Sequence, residues 1–309
     1  MTWSSEEILT ATHGIIVRRG KKKNFGEVVA DSGKVKQGSV FVALRGERLD
    51  GHQFVGDAMR RGAGCVIVHR NLPNAEGQNV TVIRVRDTLR ALGDLAHYRR
   101  EKFAPKVLAI TGSNGKTTTK EMVAAILEEA SMRGKPLRGK ILKSEGNFNN
   151  LVGLPLTLLH LRRADKVAVV ELGTNHPGEI RRLAEIADPD MGIITSVAAA
   201  HLEGLNTVAG VAREKGALYR RVRPQGTIAV NLEDPWVRRL GRKFKGRKIT
   251  YGQEGEVYAT SWRSVDARGM AFTLRAGNES CDVHLNFLGQ HNVRNAVGAA
   301  AMAYGLGVG

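Results

Sequence analysis

Cysteine is nearly absent: Cys65 and Cys281 are the only two in 309 residues, far apart in sequence. That excludes a disulfide-stapled fold and suits a reducing compartment, with two buried thiols and a cytoplasmic location expected. Long apolar runs are also missing. No segment approaches the roughly 18 consecutive apolar residues of a membrane span. The first residues, with Glu6 and Glu7 and no apolar stretch, do not read as a secretory signal. Aromatic residues make up only 5% of the chain, too few for the stacking platforms of single-strand nucleic-acid binders. Acidic residues are short as well: 30 Asp and Glu face 47 Lys and Arg, leaving a net charge of +17.

Part of that excess lies in Arg18, Arg19, Lys21, Lys22 and Lys23. Another part lies in Arg238, Arg239, Arg242, Lys243, Lys245, Arg247 and Lys248. Clustered cations release counterions from a phosphate backbone, so a nucleic-acid-associated ATPase is one reading. The shortage of aromatics argues against it and for solvated charge that helps attract anionic substrates. Apolar content of 42% is that of a globular chain, and the length accommodates about two domains.

What is present is phosphate-binding chemistry. In Lys106-Val-Leu-Ala-Ile-Thr-Gly-Ser-Asn-Gly-Lys-Thr-Thr-Thr-Lys120, the apolar run Val107–Ile110 reads as a buried strand. Gly112 and Gly115 then permit a tight turn whose successive N–H groups face an anion. Lys116 supplies a point charge for the β- and γ-phosphates, and the Thr117 hydroxyl suits Mg²⁺. Met122, Val123, Ile126, Leu127 and Ala130 recur at helical spacing, so a helix N-terminus lies under the phosphates. The generic loop has a further glycine where this chain has Ile110, making this a shortened variant. A glycine turn with a surface lysine is the plainer alternative. The strand before and helix after favour a nucleoside triphosphate site.

Around this motif the chain reads as α/β. Ser39–Leu44, Cys65–Val68 and Val80–Val85 are expected strands, and His52–Arg61 and Asp87–Lys102 expected helices, the second capped by Asp87. Pro105 marks a boundary, giving expected domains 1–104 and 105–309. In the second, strands are expected at Lys166–Glu171, Met191–Val197, Thr227–Leu232 and Lys248–Tyr251. Helices are expected near Leu151–Leu161, Pro177–Ala187, Val208–Val222 and Pro235–Gly241. Such alternation predicts a mostly parallel sheet with ligands at its carboxyl ends. From Glu256 to Leu288 the period becomes two, with turn signals at Asp266–Gly269 and Ala276–Asn278, an antiparallel excursion before a last helix from Asn292 to Tyr304.

Several polar residues sit where chemistry is possible. Glu171 ends a strand, placed either to hold a cation or merely to meet solvent. His201 follows another strand and is either structural or a ligand; its pairing with Glu171 on one edge favours the second. Lys215 reads by default as a solvent-facing lysine. Asn149 and Asn150 precede a helix and serve equally as caps or as ligands for sugars and amides. His291, Asn292 and Asn295 surround a helix start, where the two asparagines share a face and can read a nucleobase or cap the helix.

Together, Thr111–Thr118, Glu171-Leu-Gly-Thr-Asn-His-Pro-Gly-Glu-Ile180, Ala200-His-Leu-Glu203, Lys215-Gly216 and His291-Asn-Val-Arg-Asn295 resemble the Mur ligases, ATP-dependent enzymes that build the peptide of peptidoglycan. Thr119-Lys-Glu121, Glu171–Ile180 and Phe41–His52 look most like the member joining D-alanyl-D-alanine to UDP-MurNAc-tripeptide, although the ligase adding the third residue shares a similar passage with the last. The resemblance implies a small N-terminal α/β domain binding the UDP-sugar peptide, followed by an ATP-binding domain. It implies that ATP activates the tripeptide carboxylate as an acyl phosphate. It implies that Gly112, Ser113, Asn114, Gly115, Lys116, Thr117 and Thr118 hold the nucleotide phosphates, with Asn292 and Asn295 at the adenine and His291 nearby. Thr117 and Glu171 would hold one Mg²⁺ and His201 a second. Lys215 aligns with a lysine that is carbamylated in the family and would serve as an anionic metal ligand. Asn149 and Asn150 would lie by the phosphates or muramoyl peptide, and Ser32 by the nucleotide sugar.

Two departures stand out. The family usually carries Asp-Ser-Arg where this chain has Asp31-Ser-Gly33, and the arginine helps bind uridine diphosphate. The resemblance also implies a third, C-terminal ligase domain that the sequence lacks. The expectation is a fragment, a chain completed by another polypeptide, or a nucleotide-binding module without ligase activity.

Overall fold

A computed structural model describes residues 2–46, 49–71, 79–265 and 269–308. The chain forms two compact units, Met1–Lys102 with Leu158–His160, and Phe103–Thr157 with Leu161–Gly309.

The first unit contains β1 (Trp3–Ser4), α1 (Ser5–Thr12), β2 (Ile15–Arg18), β3 (Asn24–Phe25), β4 (Val28–Val29), β5 (Val40–Val42), α2 (Val55–Arg60), β6 (Cys65–Val68), β7 (Thr81–Arg84) and most of α3 (Thr88–Phe103). Its five-stranded sheet has the order β2-β7-β6-β5-β4, parallel except for β2. Phe41, Val66, Val68 and Ala58 are buried in its core. Helix α1, unforeseen in the hydrophobic pattern, opens with a capping box in which Ser4 and Glu7 satisfy each other's backbone N–H. The expected helix from His52 starts instead as a 3₁₀ turn, Gly51–Phe54, because Asp50 accepts from the His52 N–H and tightens it. Asp87 does cap α3, accepting from Leu89 and Arg90 N–H groups.

The second unit runs β8 (Lys106–Thr111), α4 (Lys116–Glu129), β9 (Ser131–Met132), β10 (Lys135–Pro136), β11 (Ile141–Lys143), α5 (Gly153–Leu159), β12 (Val167–Glu171), α6 (Glu179–Ala187), β13 (Met191–Ile194), α7 (Leu202–Leu205), α8 (Val208–Lys215), α9 (Ala217–Arg221), β14 (Thr227–Asn231), α10 (Pro235–Arg242), β15 (Arg247–Tyr251), β16 (Val257–Ser264), β17 (Met270–Ala276), β18 (Glu279–Leu285) and α11 (Gln290–Leu306). Its nine-stranded sheet has the order β11-β12-β8-β13-β14-β15-β16-β17-β18. It is parallel through β16, then antiparallel. The antiparallel excursion is therefore β16–β18; residues 266–268 of its first expected turn lie outside the described residues.

Buried β-strand residues such as Leu108, Ile110, Val169 and Ile193 pack with Val293, Val297 and Met302 of α11. The chain leaves β8 toward β11 and β12 on one side, then crosses to β13 on the other. That reversal opens a crevice at the carboxyl end of β8, where such sheets place ligands. The expected helix Val208–Val222 divides at Gly216, where a Cβ would lie 2.7 Å from Leu240 Cδ2. The strand expected to reach Val197 stops at Ile194, since Val197 N–H turns to the Asp234 carboxylate, 2.7 Å away. Only Cys65 is a buried thiol; Cys281 is exposed, because β18 ends the sheet as an edge strand. No described helix is long and apolar enough to cross a membrane.

Candidate functional site

β8 ends at Thr111, and residues 112–115 turn into α4 at the crevice. Gly112 has a φ of +156°, and a Cβ there would lie 1.8 Å from Thr195 Oγ1. Gly115 has a φ of +79°, and its Cβ would lie 2.3 Å from Asn295 Oδ1. Both positions therefore demand glycine, one for close approach and one for handedness as well. Lys116 curls back so that Nζ donates to the carbonyls of Gly112 at 3.0 Å and Ser113 at 3.4 Å. Ser113 Oγ donates to Ala198 O at 3.1 Å, and Asn114 N–H to Ser196 Oγ at 3.2 Å, tying the loop to the segment after β13. Thr118 is half-buried on the first turn of α4.

Glu171, at the tip of β12, does not meet solvent. It is only 2% exposed, accepting from Thr117 Oγ1 at 2.8 Å and Asn149 Nδ2 at 2.9 Å. Both donors are neutral, and among the described residues no cationic side chain pairs with this carboxylate. A buried charge without a counter-charge is costly, and a hydroxyl beside a carboxylate is a hard-oxygen pair that fits Mg²⁺. Among the described residues no three His, Cys, Asp or Glu side chains converge on one point. A cation here would therefore draw its remaining oxygens from nucleotide or water. Asn149 packs on Gly173, where a Cβ would lie 2.8 Å from its amide oxygen. Asn150 acts elsewhere, its Oδ1 accepting from Val152 and Gly153 N–H groups at the start of α5.

Lys215 departs most from its default reading, being 1% exposed. Burial, with the nearby charge of Lys116, lowers its pKa to about 8. Its neighbour Glu214 is buried too, accepting from Gly178 N–H at 2.8 Å and Ile180 N–H at 2.7 Å across the start of α6. Sequence reasoning missed that role. The signal was Val211, Lys215 and Leu218 at helical spacing, which puts Lys215 on the apolar side. His201 adopts a left-handed φ of +52° and is exposed. Partial desolvation and the charges of Lys215 and Lys116 hold its pKa below the usual histidine value, so His201 lies within the field of both lysines. Glu179 was also missed as an organiser: it gathers the N–H groups of Asn175 and His176 at 2.6 and 2.9 Å.

The start of α11 closes another side. Asn295 lies against Gly115, and its Nδ2 reaches Asn292 Oδ1 at 3.3 Å, while Asn292 Nδ2 donates to Leu288 O at 2.9 Å. A cavity of about 360 Å³ is lined here by Asn114, Gly115, Asn231, Asp234, His291 and Asn295. In the first unit, Ser32 is half-buried in a 3₁₀ turn held by Asp31, whose carboxylate accepts from Gly33 N–H at 2.9 Å.

A strand, a glycine turn and a helix bearing Lys116 and Thr117, at the switch point of a parallel sheet, define an α/β protein of the P-loop class. The description "Mur ligase middle domain" matches residues 110–303, and "Mur ligase family, catalytic domain" matches residues 25–100. The chain belongs to the Mur ligase family. It is 36% identical over 283 residues to the UDP-N-acetylmuramoyl-tripeptide–D-alanyl-D-alanine ligase of Haemophilus influenzae, covering 91% of this chain and 60% of that protein. It is 37% identical over 284 residues to the ligase of that name from Escherichia coli, with the same coverages. The crystal structure of MurF from Acinetobacter baumannii superposes with a TM-score of 0.90 at 35% identity, over 99% of this chain and 66% of that one. MurF ligase from Thermotoga maritima in complex with ADP gives 0.81 at 27% identity, over 91% of this chain and 63% of that one. The chain thus spans about 60% of the length of these curated relatives.

Proposed function

We propose that the chain carries the nucleotide-binding and acyl-activating part of an ATP-dependent amide ligase, one that joins D-alanyl-D-alanine to UDP-MurNAc-tripeptide in peptidoglycan precursor synthesis. The observation that carries this reading is the buried Glu171 carboxylate, paired among the described residues only with Thr117 and Asn149, beside a lysine-bearing glycine loop. The names of the relatives support the choice of substrates.

On this reading unit 2 holds ATP over Gly112–Thr118, with the adenine in the cavity lined by His291 and Asn295, and Asn292 bracing Asn295 from outside that lining. Lys116 leaves its two carbonyl partners and neutralises charge at the β/γ oxygens. Mg²⁺, when bound, would supply charge neutralisation at the transferring phosphoryl group, with Thr117 and Glu171 the residues to hold one ion and His201 with modified Lys215 those to hold a second. The tripeptide carboxylate attacks the γ-phosphorus, giving an acyl phosphate and ADP. The D-alanyl-D-alanine amine then displaces phosphate to form the amide. With a pKa near 8, Lys215 presents a useful fraction of neutral amine at neutral pH, which adds to CO₂ with loss of a proton to give a carbamate. Unit 1, through Ser32 and the Asp31 turn, takes the nucleotide sugar. A C-terminal ligase domain, in the same polypeptide or another, contributes the remaining dipeptide contacts.

The test is phosphate release from ATP by this chain, with each substrate omitted in turn and with a C-terminal ligase domain added separately. Release that requires both substrates supports the ligase. Nucleotide binding with no turnover under any combination leaves a binding module and overturns the proposal.

A further inference from the structure

In the second unit, the longest run of positive charge left unexplained by the nucleotide site extends from α10 into β15. From Pro235 to Gln253 the sequence contains seven cations and no Asp or Glu. Arg238, Arg239 and Arg242 on α10, Lys243 and Lys245 after it and Lys248 on β15 are all exposed, and among the described residues none has a carboxylate within ion-pair distance. Their neighbours differ: Arg221 pairs with Glu185, Arg223 with Asp188, and Lys106 with Asp190. The unpaired set is therefore a local surplus on this part of the second unit.

Its place in the fold separates it from the nucleotide site. Asp234 caps α10 at the carboxyl end of the sheet, and the helix runs back, so its last turn and the start of β15 lie at the amino ends of the strands. Gly112–Gly115 lies at the opposite end. The inner side of α10 is fully used, with Val237 buried and Gly241 so close to Val230 that a Cβ would meet Cγ2 at 2.8 Å. Trp236 and Phe244 are half-buried beside it.

We propose that this face docks the protein on an anionic phospholipid surface. The cations do not converge on a point, as a small anion would require. They spread over a helix, a turn and a strand start, an area that matches a plane of headgroups. With its two aromatic side chains half-buried, the face gives single-stranded nucleic acid little to stack on. Each cation held at such a surface raises partitioning about fivefold, through an attraction that fades within a Debye length.

The experiment is co-sedimentation of the 309-residue chain with vesicles of phosphatidylglycerol in phosphatidylcholine, against pure phosphatidylcholine vesicles and against duplex and single-stranded DNA. The expected result is binding to the anionic vesicles alone, weakening as salt rises through about 0.1 M, where screening reaches about 10 Å. Arg238→Gln, Arg239→Gln, Lys243→Gln and Lys245→Gln combined lower it about a hundredfold or more, with an unchanged melting temperature. Arg133→Gln with Lys135→Gln, elsewhere on this unit, has a much smaller effect. Equal sedimentation with neutral vesicles, native-like binding by the fourfold variant, or DNA binding in preference to vesicles overturns the proposal.

Discussion

The Thr117 hydroxyl donates to Glu171 Oε2 across 2.8 Å, joining the first turn of α4 to the tip of β12. The two residues are 54 apart in sequence, and it is the parallel pairing of β12 with β8 that brings them together. With Asn149 on the other carboxylate oxygen, Glu171 is held rigidly at the lip of the glycine loop. Preorganised charge at that point is what phosphoryl transfer requires.

Glu171→Gln keeps an oxygen for Thr117, removes the charge and presents an NH₂ to Asn149, whose side-chain amide must flip to accept from it. The variant is expected to fold normally and to lose on the order of a hundredfold or more in substrate-dependent phosphate release. Circular dichroism and a phosphate-release assay at saturating Mg²⁺ check this. A near-native rate at saturating metal removes Glu171 from the cation site. Lys116→Ala is expected to abolish nucleotide binding or turnover, read by the same assay and by ADP titration.

Lys215 has a pKa of about 8 in the folded chain against an ordinary 10.5. Between those values the unfolded chain binds the extra proton, so this site makes stability rise with pH across that window, and its buried charge opposes folding below pH 8. Lys215→Met keeps the stem and removes the charge. It should stabilise the protein at neutral pH by on the order of 2 kcal/mol and flatten the rise in the alkaline window. Denaturant melts at neutral and alkaline pH measure both effects. Lys215→Ala is expected to lose ligase turnover and recover part of it with acetate or another small carboxylate. Wild-type turnover in that variant excludes the carbamate.

Adjacent Asn149 and Asn150 separate cleanly. Asn150→Ala removes the cap of α5 and should cost about 1 kcal/mol of stability while leaving kcat near native. Asn149→Ala frees Glu171 and should lower kcat with a smaller loss of stability. Thermal melts and steady-state kinetics on the pair decide the assignment, and the opposite pattern reverses it.

The glycine loop was legible because its requirements are local: spacing of Gly112, Gly115, Lys116 and Thr117 after an apolar run specifies a turn and a helix whatever surrounds them. The parallel sheet was legible from alternating apolar runs and amphipathic helices. What sequence left hidden depends on contacts between distant segments. Lys215 lies in Arg213-Glu-Lys215, a charge run that reads as a solvated face, yet Glu214 turns to the α6 N-terminus and Lys215 is buried. Asn150 as cap and Asn149 as a partner of Glu171 could not be told apart, because the distinction lies in where β12 places its carboxylate. β11 was missed for another reason: three residues pairing only at the sheet edge give no periodic signal.

Gly115 and Asn295 make the sharpest test of the loop. A Cβ at residue 115 meets Asn295 Oδ1 at 2.3 Å, and the φ of +79° disfavours any L side chain independently of space. Gly115→Ala therefore carries two penalties: about 1 kcal/mol or more for the left-handed backbone, and a steric part that depends on Asn295. Asn295→Ala in the same chain removes only the second. The double variant should thus melt above the temperature expected from adding the two single effects, by a coupling of roughly 0.5–2 kcal/mol. Gly112→Ala gives the contrast. Its Cβ would meet Thr195 Oγ1 at 1.8 Å and also the Thr195 backbone nitrogen at 3.1 Å, so Thr195→Ala removes the worst overlap but leaves a tight contact with backbone, and the recovery is incomplete. Thermal melts of the single and double variants give both couplings, and additivity at Gly115 with Asn295 shows that α11 does not press on the loop.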